Sequence, residues 1–144
     1  MGEAGRAGAP RFFDSARVPM IHLDTSFLIR ALVQGSAEDR RLRAWLRRGE
    51  RLGMSAIAWA ELLCGPVEAG HLDLAGRVVS ERVPFLEEDA VLSARLFNES
   101  GRRRGSLMDC MIAASAPRAA AALATANISD FRRFAAHGLA LLEV

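Results

Sequence analysis

From Met20 onward the chain alternates short apolar runs with amphipathic stretches. "MIHL" (20–23) reads as a first strand. "TSFLIRALVQ" (25–34) reads as a helix with Phe27, Leu28, Leu32 and Val33 on roughly one face, ended by Gly35. "SAED" (36–39) has the Ser-x-x-acid form of a capping box and opens a second helix, residues 37–48, stopped by Gly49. "RLGMS" (51–55) is a second strand. Helix 56–65 follows, with Ser55 as its cap and Gly65-Pro66 as its stop. Residues 67–80 read as helical. "RVPFL" (82–86) is a third strand that Pro84 places near a sheet edge. Residues 87–105 read as a long helix with acids in its first turn and arginines in its last, which complements the helix dipole. Helix 106–116, strand 121–125, helix 128–137 and a final strand 139–144 complete the pattern.

Short strands separated by helices imply parallel pairing with helices on both faces. The expected fold is therefore α/β, a three-layer α/β/α sandwich on a short, mainly parallel central sheet. Residues 20–144 form its single domain. Residues 1–19 are rich in Gly, Ala, Pro and Arg and read as a flexible extension; Met20, where the pattern begins, is expected to be the natural start. In such folds ligands bind at the carboxyl ends of the strands, where the strand order reverses.

Composition narrows the class. The chain of 144 residues is 51% hydrophobic and 25% charged, ordinary for a globular protein with a real core. Its basic residues are all Arg, and the net charge of +2 permits an anionic partner without demanding one. Cys64 and Cys110 lack metal-ligand spacing and are expected to be buried thiols, as suits a cytoplasmic protein. No apolar run reaches the roughly 18–20 residues that span a bilayer, so no membrane role is expected.

The strand-end rule then singles out the acids. Asp24 directly follows the first strand, Glu61 lies in the helix after the second, and Asp130 follows the strand at 121–125. Asp109 lies in the first turn of the helix leading into that strand. Capping accounts equally well for Asp24 taken alone, and better for Asp109, which could close a capping box with Ser106. Glu61 resists such an account, since it is mid-helix among Ala, Trp, Leu and Cys. The Asp109 helix is apolar nearly all round and should be buried, so its carboxylate needs a partner. Clustered carboxylates repel unless a cation intervenes, and oxygen-only ligands suit Mg²⁺ or Mn²⁺.

The blocks "IHLDTSFLI" (21–29), "MSAIAWAELLCG" (54–65), "GSLMDCMIAASA" (105–116) and "LATANISDF" (123–131) resemble the PIN-domain ribonucleases, specifically VapC-type toxins of type II toxin–antitoxin pairs. The resemblance spans roughly residues 20–144. It implies a catalytic set of Asp24, Glu61, Asp109 and Asp130, with Ser26, Thr125 and Asn127 as polar helpers. Ser26 stands where many members have Asn, and the N-terminal extension has no counterpart. It also implies RNA as the substrate, an antitoxin of the VapB kind that blocks the pocket, and a homodimer.

Residues and resemblance meet on metal-dependent phosphodiester hydrolysis. Asp24, Asp109 and Asp130 would be the metal ligands, and Glu61 would orient or deprotonate the water. Arg102 to Arg104 precede the Asp109 helix and are candidates to flank the site mouth. "RRLRAWLRR" (40–48) reads as a solvated helix face. Trp45 and Trp59 read as core or interface residues, and His22 as a strand residue. A haloacid-dehalogenase pattern would need Asp at position 26, and receiver or P-loop enzymes would need a Lys. The remaining rival is a catalytically silent module whose acidic pocket only receives a protein partner.

Overall fold

The computed structural model describes residues 11–13 and 20–142. Six strands form one sheet: β1 (Arg11–Phe13), β2 (Met20–Leu23), β3 (Leu52–Ser55), β4 (Glu81–Val83), β5 (Ala121–Ala124) and β6 (Ala140–Leu142). Their order is β1-β6-β5-β2-β3-β4, and every pairing among them is parallel. The helices are α1 (Thr25–Ala31), α2 (Ala37–Arg47), α3 (Ala56–Cys64), α4 (Ala69–Val78), α5 (Glu87–Glu99), α6 (Leu107–Arg118) and α7 (Ile128–Phe131). A 3-10 segment, Arg132–His137, continues from α7. This is the α/β sandwich that the alternating pattern implied. β1 lies inside the stretch read as an extension; its backbone pairs with β6 from Arg11 opposite Ala140 to Phe13 opposite Leu142.

The chain crosses from β2 to β3 and β4 on one side, then returns to add β5 and β6 on the other. The order therefore reverses between β2 and β5, the crevice where such sheets bind ligands. β2, β3 and β5 are buried along their whole length, as expected of central strands covered on both faces. A Cβ at Gly53 would come within 3.0 Å of Met20 Sδ and 3.2 Å of the Glu81 carbonyl, so glycine lets β2 and β4 close on β3. Phe27 stacks on the buried Trp45 at 5.4 Å between centroids, joining α1 to α2. Trp59 is half-buried under the guanidinium of Arg82 at 4.1 Å.

Two caps behave as the sequence suggests: Ser36 Oγ accepts from the Asp39 N–H, and Ser55 Oγ from the Ala58 N–H. The Ser36 box is only half made, because the Asp39 carboxylate turns to the Gly35 N–H and to Arg43 instead. Three expectations are corrected. α5 ends at Glu99 rather than at residue 105, where Gly101 (φ 97°) and Arg102 (φ 54°) turn the backbone left-handed. Arg102 to Arg104 thus lie outside the helix, although the Arg102 guanidinium turns back over Phe97 and donates to Asn98 Oδ1 in its last turn. Residues 132–137 tighten from α-helix to 3-10 geometry. Cys110 is buried as expected, but Cys64 is exposed at the end of α3.

Candidate active site

Asp24 closes β2 and occupies the N-cap position of α1, yet its side chain makes no capping bond. Its Oδ2 instead accepts from the Ser26 hydroxyl at 2.6 Å and from the Thr125 hydroxyl at 2.8 Å. Thr125 directly follows β5, so this bond bridges the two strands at which the sheet order reverses. Both donors fall on Oδ2, which leaves Oδ1 free of them. The Asp24 carboxylate therefore does not cap α1. Ser26 Oγ also accepts from the Ala126 N–H, and Thr125 Oγ1 from the Asn127 N–H. Asn127 enters the network through its backbone; the residue is exposed.

The other acids surround this point. Burial holds the half-buried Glu61 carboxyl above the usual carboxylate range, and the charges of Asp24 and Asp109 add to that. Burial likewise raises the Asp109 carboxyl, reinforced by Asp24 and Asp130 and opposed by Arg133 and Arg103. Asp109 is therefore coupled to three other carboxylates. Its capping box is absent: Ser106 makes no cap bond, and its hydroxyl donates to the Arg103 carbonyl at 2.7 Å. α6 is buried at Cys110 and from Ile112 to Ala116, while Leu107 and Met108 in its first turn are exposed, so the burial expected of the whole helix holds only for its middle. Asp130 lies in α7, where its N–H bonds the Asn127 carbonyl.

All four predicted acids thus share one electrostatic neighbourhood at the carboxyl edge of the sheet. An all-oxygen donor set whose charges act on the half-buried Glu61 and Asp109 fits a hard divalent cation. Among the described residues, no three His, Cys, Asp or Glu side chains converge into a closed metal-ligand group.

Thr25 belongs to the site and was not among the sequence candidates. Its hydroxyl donates to the Ala58 carbonyl at 2.7 Å and makes a longer contact, 3.5 Å, with Glu61 Oε1. It fastens the start of α1 to α3 and so sets Glu61 against Asp24. Its signal in the sequence was its place directly after Asp24, as a hydroxyl at the first position of a helix. Arg133 also escaped notice, although it stands three residues after Asp130, a spacing that shares a helix face.

Elsewhere, arginines are tied down locally. Arg40 donates to the Gly35 carbonyl and Arg43 pairs with Asp39 at 2.8 Å, which fits the solvated-face reading of α2. An apolar depression runs between α1, α2 and α4, walled by Leu28, Ala31, Leu42, Leu46, Leu74 and Val78. Leu46 is 44% exposed and Leu74 42%.

A family model described as the PIN domain matches residues 21–137. No curated protein matches the sequence. Among solved structures, VapBC2 from Rickettsia felis bound to a fragment of its promoter DNA aligns with a TM-score of 0.68 at 22% identity, covering 86% of this chain and 97% of that one. VapBC-1 from nontypeable Haemophilus influenzae aligns with a TM-score of 0.65 at 23% identity, over 86% and 96%. A toxin–antitoxin complex from Klebsiella pneumoniae aligns with a TM-score of 0.62 at 24% identity, over 77% and 89%.

Proposed function

The chain belongs to the PIN domain family, and from that premise we propose that it is a metal-dependent endoribonuclease acting as the VapC-type toxin of a toxin–antitoxin pair. One observation carries the reading. Four carboxylates act on one another near the point where the sheet order reverses, and burial together with their charges holds Glu61 and Asp109 above the usual carboxylate range. Such an arrangement costs stability and has a use in hydrolysis.

Asp24, Asp109 and Asp130 would hold Mg²⁺ or Mn²⁺. When bound, the ion supplies charge neutralisation for a phosphodiester and makes water more acidic. The protein's own groups do the rest. Ser26 and Thr125 fix the Asp24 carboxylate through Oδ2 and aim Oδ1 away from themselves. Glu61, with its raised pKa, is suited to take a proton from the attacking water near neutral pH. Thr25 keeps Glu61 in place through α3.

The partner is an antitoxin of the VapB kind. The solved relatives named above support it, and the apolar depression beside α1 offers it a surface. The resemblance also carries a homodimer. The toxin reading carries a cytoplasmic location with it; among the described residues no helix is long and apolar enough to cross a membrane.

The test is RNA cleavage by purified protein with Mg²⁺ and with EDTA. Cleavage should require the ion. Asp24→Asn should lower it by at least about 100-fold, the scale of losing a principal charge-stabilising group, with an unchanged circular dichroism spectrum. Full cleavage by Asp24→Asn would refute the mechanism. Partner binding without cleavage by the unaltered protein would favour the silent-module reading.

A further inference from the structure

Asp24 is 4% exposed, and its backbone is pinned on both sides. Its N–H donates to the Ala124 carbonyl at 2.9 Å, and its carbonyl accepts from the Leu28 N–H at 3.1 Å. The side chain is held at one of its two oxygens. The hydroxyls of Ser26, on α1, and Thr125, just past β5, converge on Oδ2 at 2.6 and 2.8 Å. Their own contact, 3.2 Å, is longer than either of these bonds, so both protons go to the anion, where a hydrogen bond is strongest. Each hydroxyl is backed by a backbone donor: Ser26 Oγ accepts from the Ala126 N–H, and Thr125 Oγ1 from the Asn127 N–H. A carboxylate oxygen has about two acceptor sites, and on Oδ2 both are filled. Oδ1 takes no part in this network.

A carboxylate held in this way can offer a cation one oxygen and not two, and ions differ in what they ask of it. Mg²⁺ demands near-octahedral geometry at about 2.0–2.1 Å, which the two oxygens of a single carboxylate sit too close together to satisfy. Ca²⁺ is larger, takes roughly six to eight oxygens and accepts a carboxylate through one oxygen or both. We propose that Ser26 and Thr125 are positioning residues that set the choice of ion: by filling Oδ2 they confine Asp24 to one-oxygen ligation and so favour Mg²⁺ over Ca²⁺. The inference rests on the metal-dependent reading of the site, and its test reads ion binding rather than cleavage.

The probe is each ion alone, with the melting temperature of the full chain followed as Mg²⁺ or Ca²⁺ is titrated. The concentration dependence gives an apparent Kd for each ion. Asp24→Asn supplies the baseline, since only the shift that this variant loses counts as binding at the site. Ser26→Ala and Thr125→Val each remove one donor from Oδ2. Each should weaken Mg²⁺ binding by about 10-fold, the lower end of what such supporting bonds contribute to a metal site. Ca²⁺ binding should stay equal or become tighter, so that the preference for Mg²⁺ falls. Ser26→Thr and Thr125→Ser keep the hydroxyls and should keep the preference of the unaltered chain. Hydroxyls with a merely structural role would, when removed, lower the metal-free melting temperature and weaken both ions alike. An equal loss for the two ions, or none, in the folded variants overturns the proposal and leaves the metal site standing. Should either variant not fold, the other decides. An unaltered chain whose melting responds to neither ion refutes the metal reading and the proposal with it. A chain that shows the expected change of preference but cuts no RNA keeps the role of the hydroxyls and refutes the nuclease.

Discussion

His22 stands in the middle of β2, 1% exposed, with Nε2 bonded to nothing among the described residues. Burial lowers its pKa from 6.5 to about 4; the Glu81 charge opposes the shift and the Arg118 charge assists it. The native state thus holds a neutral imidazole, whereas the unfolded chain takes up a proton below pH 6.5. Between these values the unfolded state binds more protons, so stability rises with pH. The contribution is fully present above pH 6.5 and is lost as pH falls towards 4, by up to about 3 kcal/mol. Replacing the ring by an apolar side chain removes both the titration and an unmet polar atom. His22→Leu is expected to flatten the dependence of the urea midpoint on pH between 6.5 and 4. Parallel loss in the two proteins would show that His22 is not the cause. At this scale the sequence was informative about residue type and silent about contacts. It marked His22 as a strand residue and assigned Asp24 to a site through the company of the other acids. It did not show the bond to Asp24 from Thr125, a hydroxyl 101 positions away in sequence, and no local pattern reports such a pair.

Elements were easier to read than their ends. The period-2 runs and apolar helix faces located the strands and helices from β2 onward, because burial on a covered sheet imposes those periods. The end of α5 was misplaced because "ESGRRRG" is polar throughout and carries no period to interrupt. β1 was missed for a related reason: three residues paired with one neighbour are specified by tertiary contact, not by pattern. Asp89 shows what else lay outside the sequence's reach. It is 2% exposed, accepts from the Leu86 N–H at 2.9 Å, and takes both Nε and Nη2 of Arg118. Burial pushes its carboxyl up, but the Arg118 and Leu86 hydrogen bonds outweigh this and hold it below the usual range. Arg118 also donates to the Pro84 carbonyl at 2.6 Å. One ion pair thus joins the start of α5, the loop after β4 and the end of α6, the helix that carries Asp109 in its first turn. Removing Arg118 would strand a buried carboxylate, a loss on the order of 3–5 kcal/mol. Arg118→Ala should therefore show a large drop in the denaturant midpoint. A drop below about 1 kcal/mol would mean that water takes over the role of the guanidinium.

At the scale of the molecule, the sheet order converts four sequence-distant acids into one charged neighbourhood, and the fold carries the cost. The strand-end rule brought Asp24, Glu61 and Asp130 to one edge from sequence alone, and Asp109 only on condition that its helix began nearby; the repulsion on Glu61 and Asp109 became visible only with α3, α6 and α7 in place. Because folding raises the Glu61 and Asp109 carboxyls, these groups oppose folding while ionised. Their penalty is relieved as pH falls through their folded-state values, the reverse of the His22 effect. A divalent cation would relieve the same penalty at constant pH. A ligand that binds only the native state stabilises it by RT ln(1 + [L]/Kd), about 2.7 kcal/mol at a hundredfold excess over Kd. Mg²⁺ should therefore raise the melting temperature of the unaltered protein at pH 7.5. Asp109→Asn removes the acid that both Asp24 and Asp130 act upon. After allowance for solvent screening of this half-exposed group, it should stabilise the metal-free protein by only a few tenths of a kcal/mol, while abolishing the Mg²⁺ shift and RNA cleavage together. The paired outcome, a firmer apo-protein with no response to metal, is what separates a functional carboxylate from a structural one. Melting curves with and without Mg²⁺ decide it. An Asp109→Asn protein that melts lower without metal, or that still gains the full shift with it, would place the cation elsewhere.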